Sequence, residues 1–204
     1  LGGLNIADEY MFGGTGRRFE TMGAEREAWR DTDIYIEGPA ARDSFNGFSD
    51  NWKHIRGESL PEPSQAPMSL TGTNGTTMQF IQHHPRIDGD HNITNFMVET
   101  IKSLQAGEKA YIANSYFIPT GALSVYKQAL MDAAQRGVDV RVVTNSEKTT
   151  DAPQINQAAV FPYRELLKAG VRIFERKGER TMHSKSAVFG SHISAIGSWN
   201  ADNR

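Results

Sequence analysis

Cysteine is absent from the 204 residues of this chain. Its absence excludes disulfide bonds, thiolate nucleophiles and zinc sites that are built on cysteine. An excess of charge of one sign is also lacking, because 22 lysines and arginines nearly balance 24 aspartates and glutamates, for a net charge of −2. That balance provides no overall attraction to nucleic acid or to an anionic membrane. No apolar run approaches the roughly 18 residues that a membrane-spanning helix needs.

The residues that are present are typical of a globular domain, with 38% hydrophobic and 23% charged side chains. The first residue is Leu1 rather than methionine, and the last, Arg204, directly follows a motif rich in polar groups. We therefore expect both ends to have been cut from a longer polypeptide.

Strand and helix patterns alternate along the chain. Alternation of this kind predicts an α/β domain with a mixed or mostly parallel sheet flanked by helices. The segment 57–76 is rich in proline, glycine, serine and threonine, which indicates a loop or linker. The predicted strands are 32–38, 77–84, 109–117, 138–145, 171–177, 184–190 and 194–200, and the predicted helices are 39–55, 92–106, 121–137 and 155–170.

Polar side chains cluster near the end of the sequence. His183 and Lys185 are two residues apart, and on a strand such residues share a face. Ser198 and Asn200 would do the same if 194–200 is a neighbouring strand. Lysine and asparagine can hold phosphate oxygens and stabilise their developing charge, whereas histidine can attack phosphorus or protonate a leaving oxygen. The spacing fits no standard set of metal ligands.

Each half of this pattern has an ordinary explanation when it stands alone. A lone His-x-Lys pair usually marks an exposed strand edge, and Gly-Ser-x-Asn is more often a turn than a site. Their joint occurrence, in order and at a fixed spacing, favours phosphate chemistry.

The stretch 182–204, MHSKSAVFGSHISAIGSWNADNR, resembles the HKD signature of the phospholipase D superfamily. That signature reads His-x-Lys, four residues, Asp, six residues, Gly-Ser-x-Asn. Gly190 stands where the family has the aspartate, a residue regarded as structural, so the departure bears on local stability and on activity, although it leaves the reacting groups in place. The matching positions are His183, Lys185, Gly197, Ser198 and Asn200.

Flanking segments point to one branch of that family. The start, GGLN, resembles the tail of a first copy of the motif, and the segments 114–120 (NSYFIPT) and 144–153 (TNSEKTTDAP) resemble second-half loops of bacterial cardiolipin synthases. The resemblance implies a phospholipase D-like α-β-α sandwich made of two halves. It divides the chain into the end of the first half (1–56), a linker (57–76) and the second half (77–204).

The resemblance also implies roles for individual residues. His183 would be the general acid and base, and Lys185, Ser198 and Asn200 would hold the phosphate, with Asn5 completing the cradle from the first copy. Asp31 matches an acidic residue that accepts the ring N–H of the second histidine and fixes its tautomer. Asp33 is the nearby competitor. A solvated carboxylate at the entry of a strand is an equally good explanation of Asp31.

The implied activity is phosphatidyl transfer through a phosphohistidine intermediate, with no cofactor. The partners would be an anionic phosphatidyl donor and an alcohol acceptor. The protein would reach them by peripheral contact with the bacterial inner membrane. Nucleic acid is disfavoured because the chain has no basic excess. The first copy's His-x-Lys is absent, so we expect the chain alone to be inactive. The alternatives are a hydrolase acting on lipid or nucleic acid, and a degenerate member that only binds phosphate or lipid.

Overall fold

The computed structural model of the chain describes residues 1–6, 10, 29–62, 76–83, 91–178 and 180–202. It divides into two compact units. The larger comprises residues 1–34 together with 94–204, and the smaller comprises residues 35–93.

The larger unit is built on one five-stranded mixed sheet, with the strand order β3-β2-β1-β4-β5. β1, β2 and β3 run parallel, whereas β4 is antiparallel to β1, and β5 is antiparallel to β4. The predicted mixed α/β fold, with a mixed sheet flanked by helices, is confirmed. The strands are β1 (Lys109–Asn114), β2 (Asp139–Thr144), β3 (Arg172–Glu175), β4 (Lys185–Phe189) and β5 (Ile193–Ile196).

Alternating side chains give the sheet one apolar face. Ile112 of β1 and Val142 of β2 are neighbours in the parallel register and are 3% and 0% exposed. Helices α3 and α4 make the crossovers from β1 to β2 and from β2 to β3. Because such crossovers are right-handed, both helices lie on the same face of the sheet. The core is completed by Leu130, Leu166 and Phe189, all fully buried.

The helices of the larger unit follow the predicted ones within a few residues. A short 3₁₀ turn at Gly121–Leu123 precedes α3, and Pro162 lies inside α4. The observed bounds are α2 (Asn92–Ser103), α3 (Ser124–Gln135) and α4 (Pro153–Lys168).

Two predicted strands do not form within the described residues, and the other five are shorter than predicted. Segment 32–38 forms only an isolated bridge, between Asp33 and Gly2, and residues 77–83 form no strand, while His84 lies outside the described residues. The strand predicted at 194–200 ends at Ile196. An alternating pattern describes only the residues of one segment. It does not show whether a neighbouring strand is present to form the hydrogen bonds that stabilise a strand.

The smaller unit contains α1 (Pro39–Arg56), close to the helix predicted at 39–55. Pro39 occupies the first turn, where a missing N–H costs nothing. Phe80 and Gln82 lie so close to Gly47 that a methyl group there would overlap both. Most of the predicted linker, residues 63–75, lies outside the described residues. Among the described helices of the chain, none is long and apolar enough to cross a membrane.

Gly190 begins the turn between β4 and β5, with φ of 58°. It lies five residues beyond Lys185, which at about 3.3 Å per residue places it about 16 Å away, at the far end of β4. A Cβ at this position would lie 3.0 Å from Glu108 Oε1. Restoring the family's aspartate would therefore bring a second carboxylate beside Glu108 at a left-handed backbone position.

We expect Gly190→Asp to lower the free energy of unfolding by about 1–2 kcal/mol, from backbone strain and like-charge repulsion. Gly190→Asn is the matched control, since it has the same shape without the charge, and it should cost less. Urea denaturation of both variants measures the difference. An aspartate variant as stable as the parent chain would show that the turn accepts the family residue.

Candidate active site

The site forms where residues 30–32 run beside residues 181–184. The Arg30 N–H donates to the Thr181 carbonyl at 2.9 Å, and the His183 N–H donates to the Arg30 carbonyl at 2.7 Å. These two bonds make a parallel bridge between segments about 150 residues apart in sequence. The bridge places Asp31, the residue after Arg30, beside the side chain of His183.

Asp31 contacts His183 directly. Its Oδ2 lies 2.8 Å from His183 Nδ1, and the two side chains are only 2% and 12% exposed respectively. A carboxylate can only accept hydrogen bonds, so this contact places a proton on Nδ1 and leaves Nε2 as the ring nitrogen that does not contact Asp31. The competitor Asp33 instead accepts the Leu4 N–H through its Oδ1, at 3.4 Å.

The first residues of the chain lie against the segment that carries Asp31. Leu1 and Ile34 exchange two backbone hydrogen bonds, of 2.8 and 2.7 Å. Two residues later, Gly3 approaches the carboxylate so closely that a Cβ would lie 2.8 Å from both Asp31 oxygens. A glycine is therefore needed here because its backbone packs directly on the group that holds His183.

Asn5 is linked to His183 through a tyrosine that sequence reasoning did not identify. Asn5 Nδ2 donates to Tyr10 Oη at 3.2 Å, and the same oxygen lies 2.7 Å from His183 Nδ1. Trp29 completes the surroundings, with its ring 5.6 Å from the imidazole. No pattern in the sequence marks Tyr10, because its relation to His183 exists only in three dimensions.

Lys185 opens β4 and is 5% exposed. His183 precedes the strand, so the predicted shared strand face does not describe the pair. They are joined instead by a hydrogen bond from Lys185 Nζ to the His183 carbonyl. Burial lowers the pKa of the Lys185 ammonium to about 8, and nearby carboxylates partly offset that effect. These carboxylates are Asp31, Asp151, Asp202 and Asp33.

A buried carboxamide fixes the backbone immediately before His183. Asn145, 1% exposed, follows β2 and donates to the Met182 carbonyl at 2.8 Å. Its own oxygen accepts the Met182 N–H at 3.0 Å, and its Nδ2 also donates to Ser115 O at 3.2 Å. The side chain thus bonds Met182 as a neighbouring strand would.

A second carboxamide does the same beside Asn200. Asn114, the last residue of β1 and 3% exposed, donates to the Trp199 carbonyl at 3.1 Å. Its oxygen accepts the Ala201 N–H at 3.2 Å. Sequence reasoning missed the role of Asn114 and Asn145, although the first ends an apolar strand and the second follows one, where a buried polar residue must find a partner.

Ser198 and Asn200 lie after the end of β5, so the predicted strand alternation does not position them. The chain turns at Gly197, whose N–H donates to the Lys185 carbonyl at 3.0 Å. Ser198 is exposed. Asn200 Oδ1 is buried and has no hydrogen-bond partner among the residues that the structure describes. The hydrogen bonds of Asn114 with Trp199 and Ala201, rather than strand geometry, therefore set the direction of the Asn200 side chain.

Comparison with known proteins shows the family of this chain. The family described as "Cardiolipin synthase, PLD-like domain" matches residues 97–204, more than half of the chain. The chain belongs to this phospholipase D-like family. The match covers β1 to β5 and includes His183, Lys185 and Asn200.

Relatives named as cardiolipin synthases align along the whole chain. The cardiolipin synthase of Alkalihalophilus pseudofirmus is 32% identical over 207 residues, which cover 100% of this chain and 37% of that protein. Cardiolipin synthase 2 of Bacillus cereus is 33% identical, at 100% and 36% coverage, and cardiolipin synthase A of Pseudomonas syringae is 32% identical, at 100% and 38%. The chain thus spans somewhat more than a third of the length of these relatives.

Among solved structures, a polyphosphate kinase from Porphyromonas gingivalis matches 48% of this chain and 15% of its own, at 20% identity and a TM-score of 0.37. A likeness of that size establishes neither fold nor function.

The lowered pKa of Lys185 predicts how anion binding depends on pH. The ammonium is fully charged well below pH 8 and loses its proton as the pH rises through about 8. Affinity for sulfate, a phosphate mimic that stays a dianion over this range, should fall over the same interval. Isothermal titration calorimetry at a series of pH values measures this decline.

Lys185→Arg is the matched control, because arginine keeps its charge and its sulfate affinity should stay constant across that interval. Lys185→Met should bind sulfate about tenfold or more weakly at low pH, as loss of a charged hydrogen bond implies. The same decline in the arginine variant would assign the titration to another group.

Asn145→Ala should loosen the segment before His183. It leaves the Met182 N–H and carbonyl unpaired, at about 1–3 kcal/mol for each buried group. We expect lower stability in urea and faster hydrogen exchange of the Met182 amide. Asn156→Ala is the control, since within the described residues the Asn156 side chain donates to the Asn145 carbonyl, at 2.8 Å, and does not bond Met182. Unchanged exchange at Met182 in the Asn145 variant would contradict the bracing role.

Proposed function

We propose that this chain forms part of an enzyme that transfers a phosphatidyl group between alcohols through a phosphohistidine intermediate, as in cardiolipin synthesis. The observation that carries the proposal is the buried contact between Asp31 and His183, with the buried ammonium of Lys185 two residues further on. The named activity of the related proteins supports the same reaction class.

In the first step, a histidine nucleophile forms a bond from its nitrogen to phosphorus, and the bond from phosphorus to the leaving oxygen breaks. The proton on His183 Nε2 moves to that oxygen, so that a neutral alcohol departs. Asp31 keeps Nδ1 protonated throughout and stabilises the imidazolium before the transfer.

In the second step, His183 takes a proton from the incoming alcohol. The alcohol oxygen attacks phosphorus and the phosphorus–nitrogen bond breaks, which restores both histidines. Water in place of the alcohol would give hydrolysis with the same groups. The identity of the acceptor therefore separates a synthase from a phospholipase.

Lys185, Ser198, Asn200 and Asn5 hold the phosphate in this proposal. Charge on the non-bridging oxygens grows in the transition state, and a buried ammonium opposes it more strongly than an exposed one would. The buried, unpaired oxygen of Asn200 marks a carboxamide whose hydrogen bonds within the described chain are incomplete. A bound substrate hydroxyl would complete them.

In this proposal the nucleophile comes from outside these 204 residues, because the sequence contains one His-x-Lys pair and we assign it to the acid. We propose the two-half arrangement for the whole protein, with residues 1–56 ending the first half, 57–76 linking and 77–204 forming the second. The chain alone would then be inactive. A phospholipid substrate would bring the protein to a membrane surface as a peripheral enzyme, and the location included in this proposal is the bacterial inner membrane.

The test traps the intermediate in a longer polypeptide that joins this chain to a first half bearing its own His-x-Lys. A labelled phosphatidyl donor with an activated leaving group needs little acid assistance. We expect acid-labile, base-stable label on the parent protein. The His183→Ala variant should also become labelled, but it should not transfer the label to an added alcohol. His192→Ala, which removes an exposed histidine of the β4–β5 turn, should behave as the parent.

Two results would count against this proposal. Absence of label with any phosphodiester donor would favour a member that only binds phosphate. Turnover by the 204-residue chain alone, abolished by His183→Ala, would show that no second histidine is needed.

A further inference from the structure

His183 has two polar neighbours at a single ring nitrogen. Asp31 Oδ2 lies 2.8 Å from Nδ1, and Tyr10 Oη lies 2.7 Å from it. Because the carboxylate has no hydrogen to give, the hydrogen between the two groups belongs to Nδ1. The Tyr10 oxygen therefore shares this N–H as a second acceptor.

The same tyrosine oxygen is held from the other side by Asn5, whose Nδ2 donates to it at 3.2 Å. An amide nitrogen has two hydrogens, so Asn5 can donate one to Tyr10 and the other to an oxygen of a bound phosphate. Asn5 is exposed, and its second N–H is therefore accessible to a ligand. The three side chains form a continuous path from a phosphate contact to the imidazole.

Ring packing keeps the Tyr10 hydroxyl in place. The Tyr10 ring meets Trp29 edge-on at 5.3 Å and meets the His183 ring edge-on at 5.5 Å. Phenylalanine at position 10 would retain both ring contacts. The contribution of the hydroxyl can therefore be separated from that of the ring.

We propose that Tyr10 is a positioning residue that couples phosphate occupancy at Asn5 to the orientation of His183. This role rests on the proposed function, since it is the reaction that makes Asn5 a phosphate contact. A bound phosphate fixes the Asn5 carboxamide, and the carboxamide in turn fixes the Tyr10 hydroxyl. The hydroxyl then accepts the Nδ1–H of His183 together with Asp31. The substrate thus helps to orient the acid that protonates its own leaving group.

The decisive experiment records the imidazole nitrogen resonances of His183 by NMR in four forms of the 204-residue chain, with no ligand present. These are the parent, Asn5→Ala, Tyr10→Phe and the double variant. Asn5→Ala should shift the His183 resonances when Tyr10 is present and leave them unmoved in the Tyr10→Phe background. Tyr35→Phe, which removes an exposed hydroxyl bonded to Glu37, is the control and should change nothing at His183.

In the catalytically complete polypeptide, Asn5→Ala and Tyr10→Phe should each lower kcat by about three- to tenfold, the equivalent of one hydrogen bond. The double variant should be no slower than the slower single one, because both act through one connection.

The proposal is overturned if Asn5→Ala leaves His183 unmoved in the parent, or shifts it equally in both backgrounds. The NMR result does not depend on turnover. A polypeptide that shows the expected shifts but forms no phosphohistidine would refute the reaction, while the connection from Asn5 through Tyr10 to His183 would stand.

Discussion

The short pairing of Arg30 with Met182 is the interaction on which the site depends. Two backbone hydrogen bonds, from Arg30 to Thr181 and from His183 to Arg30, hold together segments about 150 residues apart. The pairing sets the register, and a slip of one residue would turn Asp31 to the opposite side of its segment. Everything proposed for His183 follows from that register, because the tautomer is set by the carboxylate that reaches Nδ1.

Buried carboxamides make this arrangement rigid where regular strands end. Asn145 bonds both polar groups of Met182, and Asn114 bonds the residues on either side of Asn200. Each replaces the neighbouring strand that the backbone lacks at that point. Residues that leave the sheet would otherwise lose their hydrogen bonds in a buried setting. Asn145, after β2, thereby positions the segment that carries His183, and Asn114, at the end of β1, positions the segment that carries Asn200.

Charge in the site is balanced against burial. Lys185 is only 5% exposed, so its ammonium loses favourable contact with water. Four nearby carboxylates offset part of that loss. The departure from the family motif at Gly190 lies outside this balance, at the far end of β4. Its consequences are therefore for the turn and for stability, because a residue about 16 Å from Lys185 does not touch that side chain.

Taken alone, the sequence determined the α/β class, the helices α1 to α4 within a few residues, and the set of polar residues typical of phosphate chemistry. Local patterns carry that information because side-chain periodicity depends on neighbours along the chain. Tertiary structure decided which residues meet: Asp31 rather than Asp33 at His183, Tyr10 between Asn5 and the imidazole, and the end of β5 at Ile196. Such contacts depend on register between distant segments, and no spacing within one segment encodes that register.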